Sequence, residues 1–141
     1  MAEYRTRVRP EWIDYNGHLS EPYYVLVFGE ATTALMDRTG LGPDYRERHD
    51  ASLYTVEAHV RYLREVGPDA ELVVTTAVLS VGAKKVRLCH EMHVDGVLVA
   101  TEELVCLHVI GRRAGPLPNA VAERLATHLS PLPGYAGRAI T

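Results

Sequence analysis

A chain of 141 residues, 47% of them hydrophobic, is of a size and composition to bury one core, so a single domain over residues 1–141 is expected. Fifteen Lys and Arg stand against eighteen Asp and Glu, a net charge of -3 with no long run of either sign; this lacks the basic footprint on which nucleic-acid binding rests. No apolar stretch approaches the roughly 18–20 residues that span a bilayer, and Met1-Ala2-Glu3-Tyr4-Arg5 has no signal-peptide apolar region, so a cytoplasmic protein without a membrane partner is expected.

Residues 4–9 alternate, are rich in β-formers and end at Pro10, which predicts a short strand. Residues 11–19 break the pattern with Asp14, Asn16 and Gly17, all loop formers. Ser20 is a suitable N-cap and Pro22 falls in the first turn of a predicted helix over residues 21–38. The apolar residues of that helix cover most of its circumference in the first two turns, so it should be enclosed rather than laid on a surface. Residues 42–50 are polar, with room for one more helical turn.

Residues 53–63 have period two, with Tyr54, Val56, Ala58, Val60 and Tyr62 on one face and Thr55, Glu57, His59 and Arg61 on the other. Gly67-Pro68-Asp69 makes a turn into residues 71–81, apolar at almost every position and suited to a strand covered on both faces. Residues 86–94 alternate again, Asp95-Gly96 signals a hairpin, and residues 97–110 form a long last strand. A C-terminal helix is expected over residues 119–129 with Asn119 as cap, followed by a tail containing Pro131, Pro133 and Gly134. Cys89 and Cys106 each sit in an apolar run without a second cysteine nearby and read as buried free thiols. One strand, one enclosed helix and four strands joined by short turns predict an α+β fold, an antiparallel sheet curled around the helix.

The segment Asp14-Tyr15-Asn16-Gly17-His18-Leu19-Ser20 gathers a carboxylate, an amide and an imidazole in a loop that feeds a helix N-terminus. Unpaired amides and the partial positive charge there favour an oxygen gaining negative charge, as a thioester carbonyl does when attacked. Gly17 permits close approach of backbone to a substrate, and Asp14 can either attack the carbonyl carbon or deprotonate a water. The same residues also suit an ordinary Asx turn, with His18 filling a niche.

Asp14-Tyr15-Asn16-Gly17-His18, with Tyr24 and Phe28 following, resembles the D-x-x-G-H segment of hotdog-fold acyl-CoA thioesterases related to 4-hydroxybenzoyl-CoA thioesterase. The stretch from Tyr54 to Glu65, taken with Asp14 to Glu21, is similar to the betainyl-CoA thioesterases of bacterial carnitine degradation, which also occur fused to carnitine dehydrogenases. The resemblance covers residues 4–112. It implies the hotdog fold, acyl-CoA hydrolysis, Asp14 as the catalytic carboxylate, and carbonyl-polarising amides near Ser20 and Glu21, with Pro22 unable to donate. It also implies a homodimer or homotetramer with active sites between subunits.

A trimethylammonium group cannot donate a hydrogen bond and is best held by aromatic faces. Trp12, Tyr15, Tyr23, Tyr24 and Tyr54 are candidates, Trp12 and Tyr15 foremost because they lie in the loop, with Glu57 as a possible anionic partner if a bulge brings it to the face of Tyr54. Lys84, Lys85, Arg87 and Arg112 are candidates for the CoA phosphates. No metal or cofactor is expected: His90 and His93, three apart in a strand, point to opposite faces, and His18 with Asp14 lacks a third ligand. A hotdog hydratase or dehydratase pairing Asp14 with His18, a thioesterase for another short or aromatic acyl group, and a non-catalytic acyl-CoA binder are the alternatives.

Overall fold

The computed structural model describes residues 1–137, so 138–141 of the expected tail lie outside the described residues. In chain order the elements are β1 (Ala2–Arg7), a single 3-10 turn (Pro10–Trp12), α1 (Glu21–Arg38), α2 (Pro43–His49), β2 (Ala51–Tyr62), β3 (Glu71–Val81), β4 (Lys85–Val94), β5 (Val97–Ile110), β6 (Arg113–Ala114) and α3 (Asn119–Ala126). Every pairing in the sheet is antiparallel, in the order β1-β3-β4-β5-β2, with the short β6 added to β5. The sheet curls around α1, which is the hotdog arrangement.

Two apolar clusters fill the concave side. Phe28, Val27 and Ala31 of α1 pack with Leu72, Val74, Met92 and Ala100, while Leu35 and Met36 meet Val78, Leu88, Leu104 and Cys106. Val121 and Leu125 of α3 close the second cluster at its end. β5 is buried continuously from Val99 to Cys106, apolar residues flanking the buried polar run Thr101-Glu102-Glu103. The hairpin between β4 and β5 turns on Asp95 and Gly96, both at positive φ, as the Asp-Gly pair requires. Cys89 and Cys106 are buried and free.

Ser20 is the N-cap of α1 as expected, though without a side-chain capping bond. Three expectations are corrected. Asn119 is the first residue of α3 rather than its cap, which is Pro118, and the helix ends at Ala126. α1 is not fully enclosed, since Val25 and Leu26 remain 41% and 46% exposed. A bulge at Val56 breaks the period of β2 between Thr55 and Glu57. It puts Thr55, Ala58, Val60 and Tyr62 on the concave face and turns Tyr54 outward together with Glu57, His59 and Arg61.

The tail is a structural element in its own right. His128 and Ser130 bond the backbone of Val78, extending the sheet where β1 has ended. The chain then crosses the convex face, where the Tyr135 hydroxyl donates to Glu91 and meets Cys89 Sγ at 3.3 Å. Gly137 N–H donates to Glu103 at 2.8 Å, and Arg87 holds the other oxygen of Glu103 at 2.6 Å. This strap packs over Cys89 and Glu103, both of which are buried.

Candidate active site

The loop before α1 is held on three sides by backbone bonds. Leu19 N–H donates to Val66 O at 2.8 Å, Ser20 N–H to Trp12 O at 2.9 Å, and Ile13 bridges Leu19. Within it Asp14 N–H donates to His18 O, and Gly17, at φ 80°, donates back to Asp14 O. Asp14 Oδ1 accepts the Asn16 amide at 2.8 Å, so the Asx turn is real. The turn employs one carboxylate oxygen and leaves Oδ2 without a partner among the described residues.

Asp14, Asn16, His18, Leu19, Glu21, Tyr24, Tyr62, Leu63, Arg64 and Glu65 line a cavity of about 770 Å³. His18 Nε2 lies 3.2 Å from Glu65 Oε2, and both are well exposed. The Tyr24 hydroxyl donates to Arg64 O, and its ring meets Tyr62 edge-on at 5.1 Å. Burial, with Tyr62, Glu65 and Asp14 adding to it, pushes the Tyr24 phenol up, so it stays a neutral donor. Among the first amides of α1, Ser20 N–H is taken by Trp12 O, Pro22 has none, and Tyr23 N–H turns back to Ser20 O. Of the two amides expected near a substrate carbonyl, that of Ser20 is therefore engaged and that of Glu21 has no acceptor among the described residues.

The remaining candidates scatter. Trp12 is 4% exposed, stacked on Tyr23 at 5.6 Å with the Arg9 guanidinium 5.5 Å from its ring, and it does not line the cavity. Tyr15 is 97% exposed, and Tyr54 and Glu57 look outward from the convex face of β2. Arg87 is engaged by Glu103 under the tail. Lys85 pairs with Leu107, nine residues along β5 from Leu98, which puts the Lys84-Lys85 hairpin and Arg112 roughly 30 Å from the Asp14 end of the same chain at about 3.3 Å per residue. No three His, Cys, Asp or Glu side chains converge as metal ligands among the described residues.

Residues 8–125 match the thioesterase-like superfamily. The chain belongs to that superfamily. It is a thioester hydrolase with the hotdog fold. It is 37% identical to the betainyl-CoA thioesterase of Pseudomonas aeruginosa, over 99% of this chain and 94% of that one. It is 41% identical, over 97% of its length, to 30% of the L-carnitine dehydrogenase/betainyl-CoA thioesterase of Agrobacterium fabrum. A Staphylococcus aureus protein solved in complex with CoA has the same fold, with a TM-score of 0.90 over 99% of this chain and 93% of that one at 23% identity. No helix among the described residues of the thioesterase is long and apolar enough to cross a membrane.

Sequence reasoning missed the far wall of the cavity, Tyr62 to Glu65. Tyr62 ends β2 and Leu63 to Glu65 follow it; they fall within the stretch that resembles the betainyl-CoA thioesterases, but none of them is assigned to the site from sequence. The readable signal was Arg64-Glu65 directly after the strand pattern, two charges where the strand leaves the sheet.

Proposed function

We propose that this thioesterase is cytoplasmic and hydrolyses betainyl-CoA to betaine and free CoA, with Asp14 as its catalytic carboxylate. The observation that carries the substrate is the likeness to the Pseudomonas betainyl-CoA thioesterase along almost the full length of both chains. The thioester enters the cavity with its carbonyl oxygen toward Glu21 N–H at the start of α1, where the helix dipole favours the developing oxyanion. Asp14 Oδ2 takes a proton from a water that attacks the carbonyl carbon. The C–S bond then breaks, the proton passes to the departing CoA sulfur, and the acid formed gives its remaining proton to solvent, leaving betaine as its carboxylate. Oδ1 keeps its bond to Asn16 N–H throughout, which fixes the orientation of the carboxylate.

The assembly we infer is a dimer formed along β2. That strand is an unprotected edge, with Tyr54 and Val56 55% and 57% exposed, beside the exposed Val25 and Leu26 of α1. Antiparallel pairing of two β2 edges about their middle sets the start of one strand beside the end of the other. Lys84, Lys85 and Arg112 of the partner subunit would then approach the Asp14 cavity, where a CoA phosphate needs cations. A panel of acyl-CoAs with and without a trimethylammonium group, followed by release of free thiol, tests the substrate. The expected result is highest kcat/KM on betainyl-CoA; equal turnover of neutral short acyl-CoAs overturns the choice. Light scattering should give twice the chain mass, and a monomer at micromolar concentration overturns the dimer.

A further inference from the structure

Across the concave face, Thr76, His90, Glu102 and Val60 form one row from β3 through β4 and β5 to β2. Glu102 is only 5% exposed, and its carboxylate makes no hydrogen bond or ion pair among the described residues. The Glu102 oxygens are not among the polar atoms shut off from solvent, so they reach open space, and a carboxylate this deep without a protein donor suits a partner that enters from there. Its neighbour in the row cannot supply one. Thr32 Oγ1 donates to Phe28 O, so it accepts from His90 Nε2–H at 2.8 Å, and Nδ1 then accepts from Thr76 Oγ1 at 2.7 Å. Both ring nitrogens are used by neutral imidazole, and burial holds the His90 pKa at about 3.

Glu102 is not among the residues that line the cavity already described, but it lies one diagonal step beyond one of them. Tyr62, which lines that cavity, pairs with Ala100, two residues from Glu102 on the same face, a diagonal spacing of about 7–8 Å that is within reach of an aromatic side chain. The charge of Glu102 acts on the Tyr62 phenol, and Tyr62 is in edge contact with Tyr24. α1 does not close this side: Val25, Leu26 and Gly29 stay exposed, a Cβ on Gly29 would meet no atom within 4 Å, and Val60 is half-buried. In the single chain a strip between α1 and β2 is therefore open beyond Tyr62, at the edge inferred above to meet a second subunit, and Glu102 lies on the concave face beside it.

We propose that Glu102 is the anionic counter-ion for a quaternary ammonium on the acyl group, with Tyr24 and Tyr62 forming the aromatic side of the same subsite. This rests on the betainyl-CoA reading and names the residue that selects the charge. A trimethylammonium offers no N–H, so it suits a carboxylate that no donor has claimed, and its methyl groups suit ring faces and edges. Contact is unnecessary, because a unit charge some 7 Å away is still felt in an interior of low effective dielectric. A neutral acyl group in the same place leaves Glu102 buried and unpaired, which discriminates against it.

The test compares betainyl-CoA with its tert-butyl isostere, 3,3-dimethylbutyryl-CoA, on wild type, Glu102→Gln and Glu102→Asp. Glu102→Gln should lower kcat/KM for betainyl-CoA on the order of 10- to 100-fold and raise it for the neutral isostere, since the unpaired charge beside an apolar group is gone. Glu102→Asp keeps the charge and should retain part of the preference, which separates loss of charge from damage to the fold. A wild-type preference for the cation that survives Glu102→Gln, or a parallel fall for both substrates, overturns the counter-ion. Equal wild-type kcat/KM for the two compounds overturns the substrate reading itself, whatever Glu102 does.

Discussion

Replacing Glu102 by Gln keeps the size of the side chain and removes a charge that folding must strip of water. Burial raises the Glu102 pKa from 4.5 to about 7. Between those values the unfolded chain has released the proton while the folded chain holds it, so folding is favoured on the acid side and that advantage is lost as pH rises through 7. A shift of that size corresponds to about 3 kcal/mol at pH 8, at about 1.4 kcal/mol per unit. The titratable groups that feel it are Tyr62, with Glu21 beyond it, Cys89, and the Cys106 thiol, which burial pushes up to about 11; none of them carries positive charge. Glu102→Gln should therefore be more stable than wild type at pH 8, by up to about 3 kcal/mol, and the difference should close toward pH 4.5. Urea unfolding at both pH values and one fixed protein concentration measures this, the fixed concentration removing the contribution of assembly. A variant less stable than wild type at pH 8 would refute the reasoning, because it would mean that a partner already satisfies the carboxylate.

Other perturbations read other parts of the molecule. Burial holds His90 neutral, with a pKa of about 3 against 6.5 when unfolded, so wild type should lose stability as pH falls through that window. In urea unfolding, His90→Gln should be less stable at pH 7 but show a smaller loss on acidification. Tyr135→Phe removes the hydroxyl that ties the tail to Glu91 and Cys89, and calorimetry should show a loss of roughly 1 kcal/mol. Its kcat/KM should stay at the wild-type value, since the tail lies on the face opposite the cavity. Tyr62→Leu, which removes a ring from the cavity wall, should reduce the preference for betainyl-CoA over the tert-butyl isostere by a few-fold, read as a ratio of kcat/KM values.

The sequence carried most of the fold because its signals were local. Ser20 and Pro22 mark the start of α1, Asp95-Gly96 dictates a turn that only positive φ can make, and β3 and β5 were bounded to the residue. The site was legible where chemistry is compressed into a short segment, as in Asp14 to Glu21. It was illegible where faces depend on register. One extra residue at Val56 exchanged the faces of Tyr54 and Thr55, and no periodicity could announce it. Trp12 and Tyr15 suggested a cage by proximity in sequence, but packing sent one into the core and the other into solvent. Glu102 and Glu103 were visible as two acids inside an apolar strand; that one would be claimed by Arg87 and the tail, and the other left unpaired, depends on contacts far apart in the chain.

Asp14 carries the central claim, and Asp14→Asn tests it with little change of shape, because the amide oxygen can still accept the Asn16 N–H that orders the loop. Circular dichroism should match wild type. Single-turnover assays with betainyl-CoA and a thiol reagent should show free CoA released by wild type and a rate about 10²- to 10⁴-fold lower for the variant, the usual effect of losing a positioned base. A variant that folds and releases CoA at the wild-type rate would contradict the account, for the carboxylate would then serve only the turn.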